Sequence, residues 1–418
     1  MKLFSRLAKP RVLERLAMLN QGTLILNDRG MSHSFGDGTS PKVTVQLHSD
    51  SFYSAVALGG HIGAAESYMD GDWDTDDLTG LVRLFVRNRK ALDGLETGTA
   101  RFMQPVRDLF HLFRRNTRSG SRKNIHAHYD LGNDLFERFL DETMTYSSGI
   151  FTHTDATMQE ASIEKYDRIC RTLSIKPGDR VVEIGSGWGG FAIHAASKYG
   201  ARVTTTTISE RQFSLASERI REAGVEDRVT LLLSDYRDLR GEYDKLVSIE
   251  MIEAVGHDYY GDYFESCSAL LKPGGAAVIQ AITVPDHHYE AARREVDFIK
   301  RYIFPGSNIP SVDVLAKAAS SSSLRLAESM DFAPHYGETL RRWRARFEEN
   351  WPEIRQLGYD EPFRRLWNFY LSYCEGGFDE GALGLVHLHF ADARDDISEY
   401  SARQLAKARS HSRIAAAL

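Results

Sequence analysis

Cysteine is scarce in this chain: three in 418 residues, Cys170, Cys267 and Cys374, an odd number at no regular spacing. That excludes a disulfide framework and fits a reduced cytoplasm. Long apolar runs are missing as well. No stretch reaches the roughly 18 residues needed to cross a bilayer, and nothing at the start reads as a secretory leader. Internal repeats and low-complexity segments are absent. His257, His287 and His288 match no metal-ligand spacing, so no metal is expected and these rings are assigned to the solvent surface. Basic residues flank the central region without striping it, which argues against a nucleic-acid partner.

What is present describes a globular protein of more than one domain, with 42% hydrophobic and 26% charged residues. The net charge of −6 hides three basic runs. One holds Lys2, Arg6, Lys9, Arg11 and Arg15, a second Arg114, Arg115, Arg118, Arg122 and Lys123, and a third Arg403, Lys407, Arg409 and Arg413. They read either as solvated faces or as contacts with an anionic surface. The helical pattern of Phe102–Phe113, followed by a Ser/Gly/Arg linker near Asn116–Asn124, allows the same two readings: a helix packed on its own domain, or one lying on lipid head groups.

Three regions follow. Residues 1–95 read as a small α+β domain: a basic helix over Phe4–Leu19 broken by Pro10, strands at Gly22–Asn27 and Val43–Leu47, and helices over Ser51–Arg87. Residues 96–124 are the amphipathic helix and linker. Residues 125–418 form the third region, in which strands and helices alternate from Ala161 to Ile282, the pattern of a doubly wound, mostly parallel Rossmann-like sheet. There Lys272–Gly275 reads as a turn before a strand over Ala276–Ile282. Ligands of such sheets sit beyond the strands' carboxyl ends, which places Glu183–Gly190, Asp235, Glu253 and Gln280 on one rim.

The stretch V-V-E-I-G-S-G-W-G-G-F (Val181–Phe191) is a strand, a glycine turn and a helix start. Gly185, Gly187 and Gly190 satisfy G-x-G-x-x-G, yet Trp188 is bulky where a pyrophosphate would approach. No acid closes the second strand at Thr204–Thr207, where a nicotinamide dinucleotide fold needs one. Glu183 before the glycines and Asp235 after the third strand suit S-adenosylmethionine instead: an ammonium group, ribose hydroxyls and an adenine amine, without phosphate. Ser209 and Gln212 form a capping box and also stand where ribose contacts fall.

Seven blocks then resemble the cyclopropane-fatty-acyl-phospholipid synthases and the related mycolic-acid methyltransferases. They are His128–Phe151 (H-Y-D-L-G-N-D-L-F…Y-S-S-G-I-F), Glu183–Gly190, Thr207–Gln212 (T-I-S-E-R-Q), Asp235–Leu239 (D-Y-R-D-L), Ser248–Gly256 (S-I-E-M-I-E-A-V-G), Tyr302–Ser311 (Y-I-F-P-G-S-N-I-P-S) and His335–Trp343 (H-Y-G-E-T-L-R-R-W). The resemblance implies S-adenosylmethionine as donor and a cis-unsaturated acyl chain of a membrane phospholipid as acceptor, giving a cyclopropane fatty acid. It implies a peripheral place on the inner face of the cell membrane and a homodimer. Carried over by position, Tyr146 and Ser147 meet the methionine end, Gly185, Gly187 and Gly189 line the cofactor, Thr207, Ser209 and Gln212 face the ribose, and Tyr236 and Arg237 the adenine.

In that family a bound bicarbonate is the base. The implied positions here are Glu253 and the main chain of Ile282, with Ser148 where the family has cysteine, Gln280 where it has histidine and Arg344 where it has tyrosine. Two accounts follow: the substituted residues still hold an anion, or Arg344 pairs with Glu253 and deprotonation takes another course, leaving a methyl- or methylene-branched chain. Cys374, in L-S-Y-C-E-G-G-F, matches a family cysteine once considered catalytic and reads here as a packed helix residue. Tyr302, Phe304 and Pro305 are expected along the acyl chain. A methyltransferase acting on a soluble small molecule is the competing class.

Overall fold

The order of the strands explains where the chemistry collects. A computed structural model describes residues 2–92 and 131–394. Among them, seven strands form one sheet: β5 (Arg180–Ile184), β6 (Arg202–Thr207), β7 (Val229–Leu233), β8 (Tyr243–Ile249), β9 (Leu271–Thr283), β10 (Leu324–Asp331) and β11 (Gly384–Asp392), in the order β10-β11-β9-β8-β5-β6-β7. Strands β5 to β9 pair in parallel, and β10 pairs antiparallel with β11. The chain runs outward from β5 through β6 to β7, then returns to the other side of β5 for β8 and β9. The direction of winding therefore reverses between β5 and β8, the place where open α/β sheets bind ligands.

These strands form because both faces are covered. Val181 packs with Val203, Val247, Val278 and Phe191 on one side. Val182 packs with Leu246, Ile279 and Phe264 on the other. The alternation is the period-2 geometry of a strand buried on both faces. Lys272–Gly275 is no separate turn. β9 starts at Leu271 opposite Tyr243, and its register slips before Lys245 meets Ala276, so the Gly-rich stretch is absorbed as a bulge with Gly274 at φ 74°.

By contacts the chain forms two compact units. One is Ile163–Asp286, Pro310–Asp331 and Leu385–Leu418, which holds this sheet; the other is Met1–Ser162, His287–Ile309 and Phe332–Gly384. The expected boundaries at 95 and 124, the 102–113 helix and the second and third basic runs lie outside the described residues.

In the second unit, β1 (Thr23–Asp28), β2 (Met31–Gly36), β3 (Lys42–Leu47) and β4 (Trp73–Thr75) make a sheet of order β2-β1-β3-β4. β2 is absent from the sequence reading because M-S-H-S-F-G has no apolar alternation; it is a solvated edge strand, joined to β1 through Arg29 and Gly30 at positive φ. Pro10 does not break the first helix, which runs over Lys2–Leu16. Ala8, Val12 and Leu16 stay buried on one stripe, and that packing offsets the roughly 3 kcal/mol of an internal proline. Late helices join this unit through Thr79 on Glu375 (2.9 Å), Arg83 on Glu380 (2.8 Å) and Arg365 on the Trp73 carbonyl (2.7 Å). No helix among the described residues is long and apolar enough to cross a membrane.

Candidate active site

The glycine turn follows β5 directly. Gly185, Gly187 and Gly189 have φ of 93°, 49° and 86°, a region L side chains rarely adopt. The Ser186 amide donates to the Thr206 carbonyl (2.8 Å), pinning the loop to β6, and Gly189 leads into the Gly190–Tyr199 helix. A Cβ on Gly185 would lie 3.0 Å from Met251 Cγ, whereas one on Gly187 would meet nothing within 4 Å. The backbone at Gly187 is thus open to a ligand. Trp188 does not obstruct it: the residue is buried, and its carbonyl accepts from Arg219 (2.6 Å).

Past β6, Thr207 Oγ1 donates to Gln212 Oε1 (2.8 Å), and Ser209 caps the Glu210–Glu222 helix by accepting from the Gln212 amide (3.3 Å). Past β7, Asp235 accepts two bonds from the Arg237 guanidinium, at 2.8 and 2.7 Å, and Tyr236 packs edge-on against Tyr263. Short polar groups held in place beside an open glycine backbone suit a cofactor with hydroxyls and amines to bond. Glu183 lies deeper than its neighbours. It pairs in register with Thr205 on β6, whose hydroxyl donates to it (2.6 Å). Burial pushes its carboxyl up to about 8, against the opposing effects of Thr205 and Lys165.

The ends of β8 and β9 carry the second group. Glu253 is buried; its Oε1 accepts from the Ile282 amide (2.6 Å), and its Oε2 has no hydrogen-bond partner among the described residues. Burial, then the charge of Glu250, pushes Glu253 up to about 8. Gln280 is held at both ends of its carboxamide: Nε2 donates to Glu250 Oε1 (2.6 Å), and Oε1 meets His387 Nε2 (2.8 Å). Burial holds His387 down at about 3, so the ring is neutral and donates from Nε2.

The remaining candidates belong to the other unit. The Tyr146 hydroxyl bonds that of Tyr370 (2.8 Å), with its ring among Phe136, Phe139 and Trp343. Ser147 and Ser148 are buried, and Ser148 Oγ donates to the Gly149 carbonyl (3.0 Å). Arg344 has a partner in its own unit. Its Nη2 donates to Glu375 (3.0 Å), a nearly inaccessible carboxylate that Arg341 also engages at 3.0 Å. Burial pushes the Cys374 thiol up, which suits packing and not a thiolate nucleophile. Tyr302 donates to Glu66, and the Phe304 ring meets Tyr370 edge-on.

Residues 116–388 match the family model described as mycolic acid cyclopropane synthetase. The chain belongs to this family. Tuberculostearic acid methyltransferase UfaA1 of Mycobacterium tuberculosis is 38% identical over 382 residues, covering 89% of this chain and 88% of its own. The cyclopropane-fatty-acyl-phospholipid synthase of Escherichia coli is 36% identical over 345 residues, 82% of this chain and 86% of its own. Among solved structures, the mycolic acid cyclopropane synthase CmaA1 complexed with SAH and CTAB superposes with a TM-score of 0.61 at 30% identity, covering 65% of this chain and 98% of that one.

As a member of the mycolic acid cyclopropane synthetase family, the chain is an S-adenosylmethionine-dependent methyltransferase with a Rossmann-like sheet. Sequence reasoning passed over two residues. His387 stands in V-H-L-H-F, where a histidine on an apolar strand was the available signal. Glu375 is the neighbour of Cys374 and carried none.

Proposed function

We propose that this enzyme transfers a one-carbon unit from S-adenosylmethionine to the cis double bond of an unsaturated fatty acyl chain of a membrane phospholipid, leaving a methylene-branched chain. The observation that carries the reading is Glu253. One oxygen is held by the Ile282 amide, the other has no hydrogen-bond partner among the described residues, and the carboxyl is held up at about 8, so its conjugate base is a strong proton acceptor within the sheet rim. The positions that hold bicarbonate in the resemblance have protein partners instead: Gln280 with Glu250 and His387, Ser148 with Gly149, Arg344 with Glu375, and the Ile282 amide with Glu253 itself.

When bound, S-adenosylmethionine supplies an electrophilic methyl group to which the alkene π pair bonds while the carbon–sulfur pair stays on sulfur. The neighbouring alkene carbon is left positive. Hydride moves to it from the methyl-bearing carbon, and Glu253 Oε2 then takes a proton from the methyl. That C–H pair becomes the double bond of the methylene branch. Gly185–Gly189, Thr207, Ser209 and Gln212 would hold the cofactor. Arg6 and Arg11 are exposed on the first helix and flank Leu7, which is 67% exposed; this supports a peripheral docking surface for anionic lipid.

Ring closure is the second reading, favoured by the 36% identity to a protein named cyclopropane-fatty-acyl-phospholipid synthase. There the same proton leaves before hydride moves, and the C–H pair bonds to the positive carbon. The two products have equal mass. The test is expression in cells lacking such an enzyme, followed by mild hydrogenation and mass spectrometry of the acyl chains. Uptake of hydrogen by the methylated product supports the branch; a product of that same mass that is inert to hydrogenation overturns it in favour of the ring.

A further inference from the structure

Glu250 is the last residue before the turn that carries Glu253, and its backbone sits at φ 50°. A glycine adopts that conformation without cost, whereas a glutamate is strained in it. The strained residue is clamped twice by β9: its amide donates to the Gln280 carbonyl (2.9 Å), and its Oε1 accepts from Gln280 Nε2 (2.6 Å). Gln280 is in turn oriented by His387, which donates to its Oε1 at 2.8 Å and so turns the amino end toward Glu250. Three strands, β8, β9 and β11, thus converge on the Glu250 carboxylate, three residues before Glu253.

We propose that Glu250 is a positioning residue for proton transfer, a fixed negative charge that makes Glu253 a stronger proton acceptor. The inference rests on the reading of Glu253 as the base. The groups that bond the two carboxylates include Gln280 and the Ile282 amide from β9. Behind Gln280 stands His387 of β11, kept neutral by burial and by Lys165 and Arg168 of the Met158–Thr172 helix. The Glu250 charge raises the proton affinity of Glu253, in the direction the arrangement requires.

The test uses the full-length enzyme, labelled S-adenosylmethionine and vesicles of unsaturated phosphatidylglycerol, with kcat followed from pH 5.5 to 9.5. Glu250→Gln keeps an acceptor for Gln280 and removes the charge. The expected result is an acid limb of kcat displaced by about one unit to lower pH, with a plateau lowered roughly tenfold and KM unchanged. Glu250→Gly separates function from folding: relief of the left-handed strain holds or raises Tm while kcat falls. An unaltered acid limb in Glu250→Gln, with Glu253→Gln inactive, overturns this inference alone. A wild-type acid limb persisting in an active Glu253→Gln enzyme overturns the assignment of the base, and the inference with it.

Discussion

At the carboxyl ends of β6 and β7, polar side chains find partners close by in sequence: Thr207 with Gln212, Ser209 with the Gln212 amide, Asp235 with Arg237. At the ends of β8 and β9 the partners come from far away. Glu253 is bonded from Ile282, Glu250 from Gln280, and Gln280 from His387, more than a hundred residues on. The first region presents neutral hydroxyls, amides and an internally neutralised ion pair around an open glycine backbone. The second sets a half-buried carboxylate, Glu250, beside a buried one, Glu253. One arrangement suits holding a cofactor of fixed structure; the other suits changing a protonation state.

The largest effect should come from removing the unpartnered acceptor. Glu253→Gln is expected to lower methyl transfer into phospholipid by about 10²–10⁴-fold, while S-adenosylmethionine affinity by calorimetry stays close to wild type. An equal loss of cofactor affinity would erase the division between the two regions. Gly185→Val acts on the other side. At φ 93°, with Met251 Cγ 3.0 Å from the added Cβ, it should weaken cofactor binding roughly tenfold or more through a displaced loop. The pH limb of kcat assigned to Glu253 should survive in whatever activity remains.

The division also explains what was legible in the sequence. Capping boxes, glycine turns and strand ends are local, so β5, β6 and β7 and the Ser209 cap follow from spacing alone. The proton-handling rim is not local. That Glu253 is unpartnered on one oxygen depends on the register between β8 and β9, and the neutrality of His387 depends on burial. Arg344 could be placed only by knowing that Glu375 is inaccessible. β2 was missed for a different reason, since an exposed edge strand needs no apolar pattern. The bulge at Lys272–Gly275 was missed because a turn and a bulge share residue preferences.

A smaller effect sharpens the contrast within β5. Burial holds Glu183 at about 8 in the folded protein against an ordinary 4.5, so the folded state binds its proton more tightly than the unfolded chain. Its stabilising share is therefore complete below pH 4.5 and is lost as pH rises toward 8. Glu183→Gln should flatten the decline of Tm across that window in thermal scans without cofactor. A decline identical to wild type would show that Glu183 titrates like an ordinary solvent-exposed carboxylate.

The account's central claim is that a protein carboxylate, and not a bound anion, takes the proton. Methyl transfer measured in buffer stripped of carbon dioxide and then supplemented with bicarbonate tests it most directly. The account predicts the same rate in both conditions. A rate that collapses on stripping and returns with added bicarbonate would contradict it.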